Sequence, residues 1–193
     1  PVARTAEGSM ELPEAILLMG VCGSGKSTVA TTLQAELAAA SVRCAVVEGD
    51  SYHPAENVGK MARGEPLTDE DRAGWLSSIH SRMQECKAAG ILSVVACSAL
   101  KRKYRAVLRE GPTCCIRMHT VLLLAPRATI QQRVTNRLGH FMPASLVESQ
   151  FAALEPLKEE DQPYSIYDAS DLTPADVCSK LLLEFKVVRA ITK

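Results

Sequence analysis

An excess of either charge is missing: 22 Lys and Arg balance 22 Asp and Glu. Nucleic-acid partners call for a basic domain, so none is expected here. Long apolar runs are missing too. The longest, residues 91–96 and 121–125, fall well short of the ~20 residues a membrane-crossing helix needs, and no membrane partner is expected. The seven cysteines are an odd number and show no C-x-x-C spacing, which argues against both a zinc site and a disulfide scaffold. Reduced thiols in a cytoplasmic protein are the simplest expectation. The adjacent pair Cys114 and Cys115 is expected in a loop or at a strand start, because neighbouring thiols rarely have bridging geometry. Residues 1–14 lack the apolar core of a secretory signal and read as a flexible leader. The final residues, Ile191-Thr192-Lys193, are no peroxisomal address.

What is present is 193 residues, 47% hydrophobic and 23% charged, enough for one compact domain. Short apolar runs alternate with longer amphipathic stretches. Strands are expected at 15–19, 44–47, 91–97, 120–125 and 165–167, without clean polar alternation, which is the pattern of parallel strands covered on both faces. Helices are predicted at 26–40, where Val29, Leu33 and Leu37 share a face, and from Thr68, a cap followed by three acids, to about Gly90. Others are expected at 103–109, 128–137, 144–154 and 174–185, with a linker at 156–163. The fold class is thus α/β, on a mostly parallel five-stranded sheet.

Directly after the first strand stands Gly20-Val21-Cys22-Gly23-Ser24-Gly25-Lys26-Ser27, a full match to G-x-x-x-x-G-K-[ST] running into a helix. Glycines let consecutive N–H groups curl toward phosphate oxygens, and the helix start adds its positive dipole end. This loop, with Thr28 beyond it, is the candidate ATP site, and it makes the expected fold a P-loop NTPase three-layer α/β/α sandwich. Lys26 reaches the β- and γ-phosphates, and the Ser27 hydroxyl is a ligand for Mg²⁺. No N-K-x-D guanine reader occurs, which weighs against a GTPase. The third strand ends without a magnesium-binding acid, so the metal must rely on Ser27, phosphates, water and a carboxylate of the second strand. That strand ends in Glu48 and Asp50, at the sheet edge where ligands bind. Asp50 is the candidate base for an attacking hydroxyl, and Glu48 the candidate partner of a magnesium-bound water. An acidic helix cap is the bland alternative for Asp50. His53 stands just before Pro54 and is either a local hydrogen-bonding group or a substrate ligand.

From here the residues carry a resemblance. His53-Pro54, Asn57, Lys60-Met61, Gly64-Glu65-Pro66-Leu67, Asp69, Asp71-Arg72 and Trp75-Leu76 resemble the gluconate kinase signature. It continues through residues 97–101, Tyr104-Arg105, Arg133, Arg137, Gly139-His140-Phe141, Gln150-Phe151 and Leu154-Glu155-Pro156. The chain from Ile16 onward is similar to gluconokinases of the shikimate-kinase-like group. The resemblance implies transfer of phosphate from ATP to D-gluconate, feeding the pentose phosphate route, and a possible homodimer. It also implies that Asp50, His53, Arg72, Lys101, Arg105 and His140 meet the substrate, a carboxylate needing cations and hydroxyls needing hydrogen-bonding groups. Arg133 and Arg137, four apart, are expected from the resemblance to contact ATP from a small helical lid at about 133–145. Cys22 stands where the family often has Ser, and Glu48 where related kinases have Asp. Trp75 and Met83 are expected in the core. Two alternatives stay open: another small-metabolite kinase of this group, and a nucleotide-binding regulatory module without transfer activity.

Overall fold

The computed structural model describes residues 12–111, 114–136 and 147–187. The chain runs β1 (Ala15–Met19), α1 (Lys26–Ala39), β2 (Cys44–Glu48), a 3-10 turn (Gly49–Tyr52), α2 (Ala55–Ala62), α3 (Asp69–Ala88), β3 (Leu92–Ala96) and α4 (Arg102–Glu110). It continues through β4 (Met118–Leu124), α5 (Arg127–Thr135), α6 (Val147–Ala153), a 3-10 turn (Glu159–Asp161), β5 (Tyr164–Asp168) and α7 (Pro174–Glu184). The five strands pair wholly in parallel in the order β2-β3-β1-β4-β5.

β1 explains why the strand sequences do not alternate. Ile16 and Leu18 face the layer of α1 and α7, among Val29, Leu33, Leu37, Val177 and Leu181. Ala15, Leu17 and Met19 face the opposite layer, among Trp75, Ile79, Met83, Tyr104 and Leu108. The period of two is intact, but both faces are buried, so each position must be apolar. α3 starts as its sequence dictates: the Thr68 hydroxyl accepts from the Asp71 N–H, and the Asp71 carboxylate accepts from the Thr68 N–H. That reciprocal cap satisfies two otherwise orphaned donors.

α2 had no signal beyond the resemblance, being short and half polar. The stretch expected as a linker at 156–163 is docked, with Asp161 buried beneath α4. The end of the expected leader is docked as well: the Glu14 carboxylate takes the Arg117 N–H at 2.9 Å and the Lys87 ammonium at 3.1 Å. Residues 1–11, and most of the expected lid including Arg137 and His140, lie outside the described residues. Among the described residues, no helix is long and apolar enough to cross a membrane.

The strand order places β1 between two halves of the sheet, with β3 and β2 on one side and β4 and β5 on the other. The chain crosses over there, and a crevice opens beyond the carboxyl ends of the strands. Everything described next sits in that crevice.

Candidate active site

The loop of residues 20–27 leaves the end of β1 in an unusual backbone path. Gly20, Gly23 and Gly25 all have positive φ, at 142°, 81° and 97°. At Gly20 a Cβ would also stand 2.6 Å from the Leu123 carbonyl oxygen, so only glycine allows the turn. The Lys26 ammonium folds back over the loop and donates to the carbonyls of Gly20 and Val21, at 3.1 and 3.0 Å. Among the described residues no third acceptor meets it, which leaves one N–H for an anion. The side chains of Val21 and Cys22 turn away into a small apolar cluster with Leu100, Ile130, Val134 and Val147. Gly23, Ser24 and Gly25 line the cavity beside them, and the Cys22 thiol is buried.

The second wall is brought in by β2. At Gly49 a Cβ would lie 2.8 Å from the Ala96 carbonyl oxygen, so glycine lets the end of β2 press against the end of β3. The Gly49 carbonyl accepts from the Trp75 indole N–H at 2.7 Å, fixing the turn that carries Asp50. His53 stacks on the Trp75 ring, centroids 4.2 Å apart. Burial pushes the His53 pKa down to about 4, against the pull of Asp50, so the ring is neutral at physiological pH. Its Nδ1 is buried and meets no partner among the described residues.

A cationic patch forms the third wall. Lys101, Lys103 and Tyr104 all hydrogen-bond the Asp69 carboxylate, Lys101 at 3.0 Å. These donors, the Lys103 ammonium first, hold Asp69 far below the usual carboxylate range. Arg72 bonds the carbonyls of Leu67 and Thr68 and lies over the Tyr104 ring, 5.6 Å from its centroid. Two ammonium groups and a phenol thus meet the Asp69 carboxylate, and the Arg72 guanidinium lies over the same Tyr104 ring. Loop amides, Ser27, Glu48, Asp50, His53, Arg72, Lys101 and Arg133 all line one cavity of about 510 Å³. That size and mixed lining are typical of small-molecule sites.

This donor set fits a nucleotide with Mg²⁺. Ser27 and Glu48 offer the hard oxygen ligands that Mg²⁺ prefers. Among the described residues no cluster of three or more His, Cys, Asp or Glu side chains is positioned to hold a metal. A metal here would thus take most of its shell from phosphate and water, as in other nucleotide sites.

Comparison with known proteins decides the family. A gluconokinase of Gluconobacter oxydans is 40% identical over 174 residues, spanning 90% of this chain and 92% of the relative. The chain belongs to the gluconokinase family. A family model described as an AAA domain matches residues 16–157. The crystal structure of a gluconokinase from Sinorhizobium meliloti superimposes with a TM-score of 0.74 at 36% identity, covering 91% of this chain and 93% of that one. An unliganded sugar kinase from a Janibacter species gives a TM-score of 0.79 at 38% identity, covering 94% and 99%.

Within this gluconokinase framework most of the expected site residues converge. Asp50, His53, Arg72 and Lys101 share the cavity with the phosphate loop. Arg133 reaches it from α5, donating to the Ala169 carbonyl at 2.9 Å and to the Gly23 carbonyl at 3.5 Å. Arg105 is the exception, and the expectation that it meets substrate is corrected here. It is 1% exposed and grips Asp161 with two hydrogen bonds, at 2.6 and 3.0 Å. Its other donors go to the carbonyls of Ala99, Leu100, Glu155 and Pro156. Ala99 has a φ of 42°, a left-handed conformation costly for alanine. Arg105 thus braces the strained loop that delivers Leu100 and Lys101 to the cavity. Trp75 is in the core as expected, and its edge also lines the cavity. Tyr104 and Gln150 line it too, at positions the residue patterns alone had not assigned to the site.

Proposed function

We propose that this chain transfers the γ-phosphoryl group of ATP to the terminal hydroxyl of D-gluconate, giving ADP and 6-phospho-D-gluconate. One observation carries the reading: a phosphate loop, a carboxylate at the end of β2 and a cationic patch share a single cavity. The loop amides and Lys26 hold the phosphates. Asp50 accepts the proton as the hydroxyl oxygen bonds to phosphorus and the bond to ADP breaks. Arg72 and Lys101 read the carboxylate at the other end of the acceptor, and neutral His53 hydrogen-bonds its hydroxyls. Arg133 neutralises phosphate charge as it builds. Ser27 and Glu48 would hold Mg²⁺, which supplies further charge neutralisation when bound. The gluconokinase relatives support gluconate as acceptor.

The test is ADP release with gluconate against a panel of sugar acids, neutral polyols and shikimate. Gluconate should be turned over with the highest kcat/KM, and neutral glucitol should lose most of that, having no carboxylate for the patch. Turnover of glucitol equal to gluconate would refute the assignment of Arg72 and Lys101. ADP release indifferent to every acceptor would refute the kinase reading.

A further inference from the structure

We infer that Gln150 is a positioning residue for phosphate binding, acting through the Val21–Cys22 peptide on the Lys26 ammonium. The inference rests on the nucleotide reading of the loop. The Cys22 N–H donates to the Gln150 side-chain oxygen at 2.6 Å, a contact across 128 positions of sequence. The Val21 carbonyl belongs to the same peptide unit and accepts from Lys26 at 3.0 Å. One peptide is therefore gripped at both ends, by Gln150 on its hydrogen and by Lys26 on its oxygen. A bonded N–H polarises its own carbonyl and makes it a stronger acceptor, so Gln150 strengthens the seat of the ammonium. The Gly20 carbonyl supplies the second contact to that seat.

Gln150 is held in place by its helix. Arg127 of α5 pairs with Glu148 and lies over the Phe151 ring at 4.8 Å. Val147, Phe151 and Leu154 pack into the apolar cluster that also takes Val21 and Cys22. The phosphate loop and α6 thus share both a packed surface and a hydrogen bond. The residue type follows from the neighbourhood. A carboxylate would accept the same N–H but would set a negative charge beside the phosphates, whereas a carboxamide supplies the acceptor without repulsion.

The experiment titrates a non-hydrolysable ATP analogue, without any acceptor, into the wild-type chain and into Gln150→Met, Gln150→Ala and Gln150→Glu. Met and Ala both lack the acceptor, one at full length and one truncated, so a packing fault in either is exposed by the other. Both should bind the analogue about fivefold more weakly, the scale of one lost hydrogen bond. In both, the Cys22 amide proton resonance should move upfield. Gln150→Glu should keep that resonance downfield, and its weaker binding should recover relative to wild type as salt is raised. Wild-type affinity in Gln150→Met and Gln150→Ala would overturn this inference alone. Equal weakening in all three variants at every salt concentration would overturn it too. A wild-type chain that ignores the analogue would overturn the nucleotide reading along with it.

Discussion

Replacing Arg105 separates two roles that its sequence position cannot. If Arg105 contacts the acceptor, Arg105→Met should raise the gluconate KM and leave stability alone. The structure predicts the reverse. The guanidinium is 1% exposed and Asp161 is 3% exposed, so removing the cation strands a buried carboxylate and frees four backbone carbonyls. Breaking a buried pair in this way costs about 3–5 kcal/mol. A chain of this size loses about 2–4 °C in melting temperature per kcal/mol, so the drop should be about 6–20 °C. Thermal unfolding followed by circular dichroism, with gluconate kinetics well below the transition, is the assay. The pH dependence adds a signature. Burial alone would raise the Asp161 pKa, but the Arg105 hydrogen bonds hold it below the ordinary value. That stabilisation is complete above the unfolded carboxylate pKa, about 4, and is lost as pH falls through the folded value. In Arg105→Met the bare carboxyl protonates more readily, so the gap to wild type should narrow on acidification. A variant that melts like wild type while its gluconate KM rises a hundredfold would refute the reasoning.

Other expectations follow from the same geometry. Asp50→Asn should lower kcat by roughly 10²–10⁴, the range of general base catalysis, while the ATP-analogue affinity stays within about threefold; unchanged kcat would remove Asp50 from the chemistry. Lys26→Met should weaken the analogue and lower kcat together, because the ammonium serves both ground-state binding and charge neutralisation; intact analogue binding would contradict the seating described above. His53 is neutral when folded and protonates near pH 4, against 6.5 for a free imidazole. Folding therefore loses stability as pH falls from about 6.5 toward 4, where the unfolded chain takes up a proton the folded ring resists. In His53→Asn, urea midpoints should decline less over that window, and an identical acid limb would show that His53 is not buried as described.

The phosphate loop was legible because it is a local object. Its glycines, lysine and serine lie within eight consecutive residues, and Lys26 bonds the loop's own backbone. The strands, α1 and the cap of α3 were legible on the same ground, since apolar run length and capping act within a few residues. The fate of each cation was not. Lys101 and Arg105 stand four apart in one motif, yet one faces the cavity and the other is sealed in the protein. Nothing local distinguishes them. The difference is made by Asp161, 56 positions on from Arg105, and by Asp69, 32 positions back from Lys101.

The amino-acid order by itself determined that a strand, an anion-cradling turn and a helix follow one another, and that the sheet around them is parallel and covered on both faces. Tertiary structure alone decided which charged side chains remain available to a ligand and which are consumed within the protein. A charge is assigned its role by whatever partner the fold carries to it, and a partner dozens of residues away, such as Gln150 at the Cys22 peptide, leaves no mark on the local sequence.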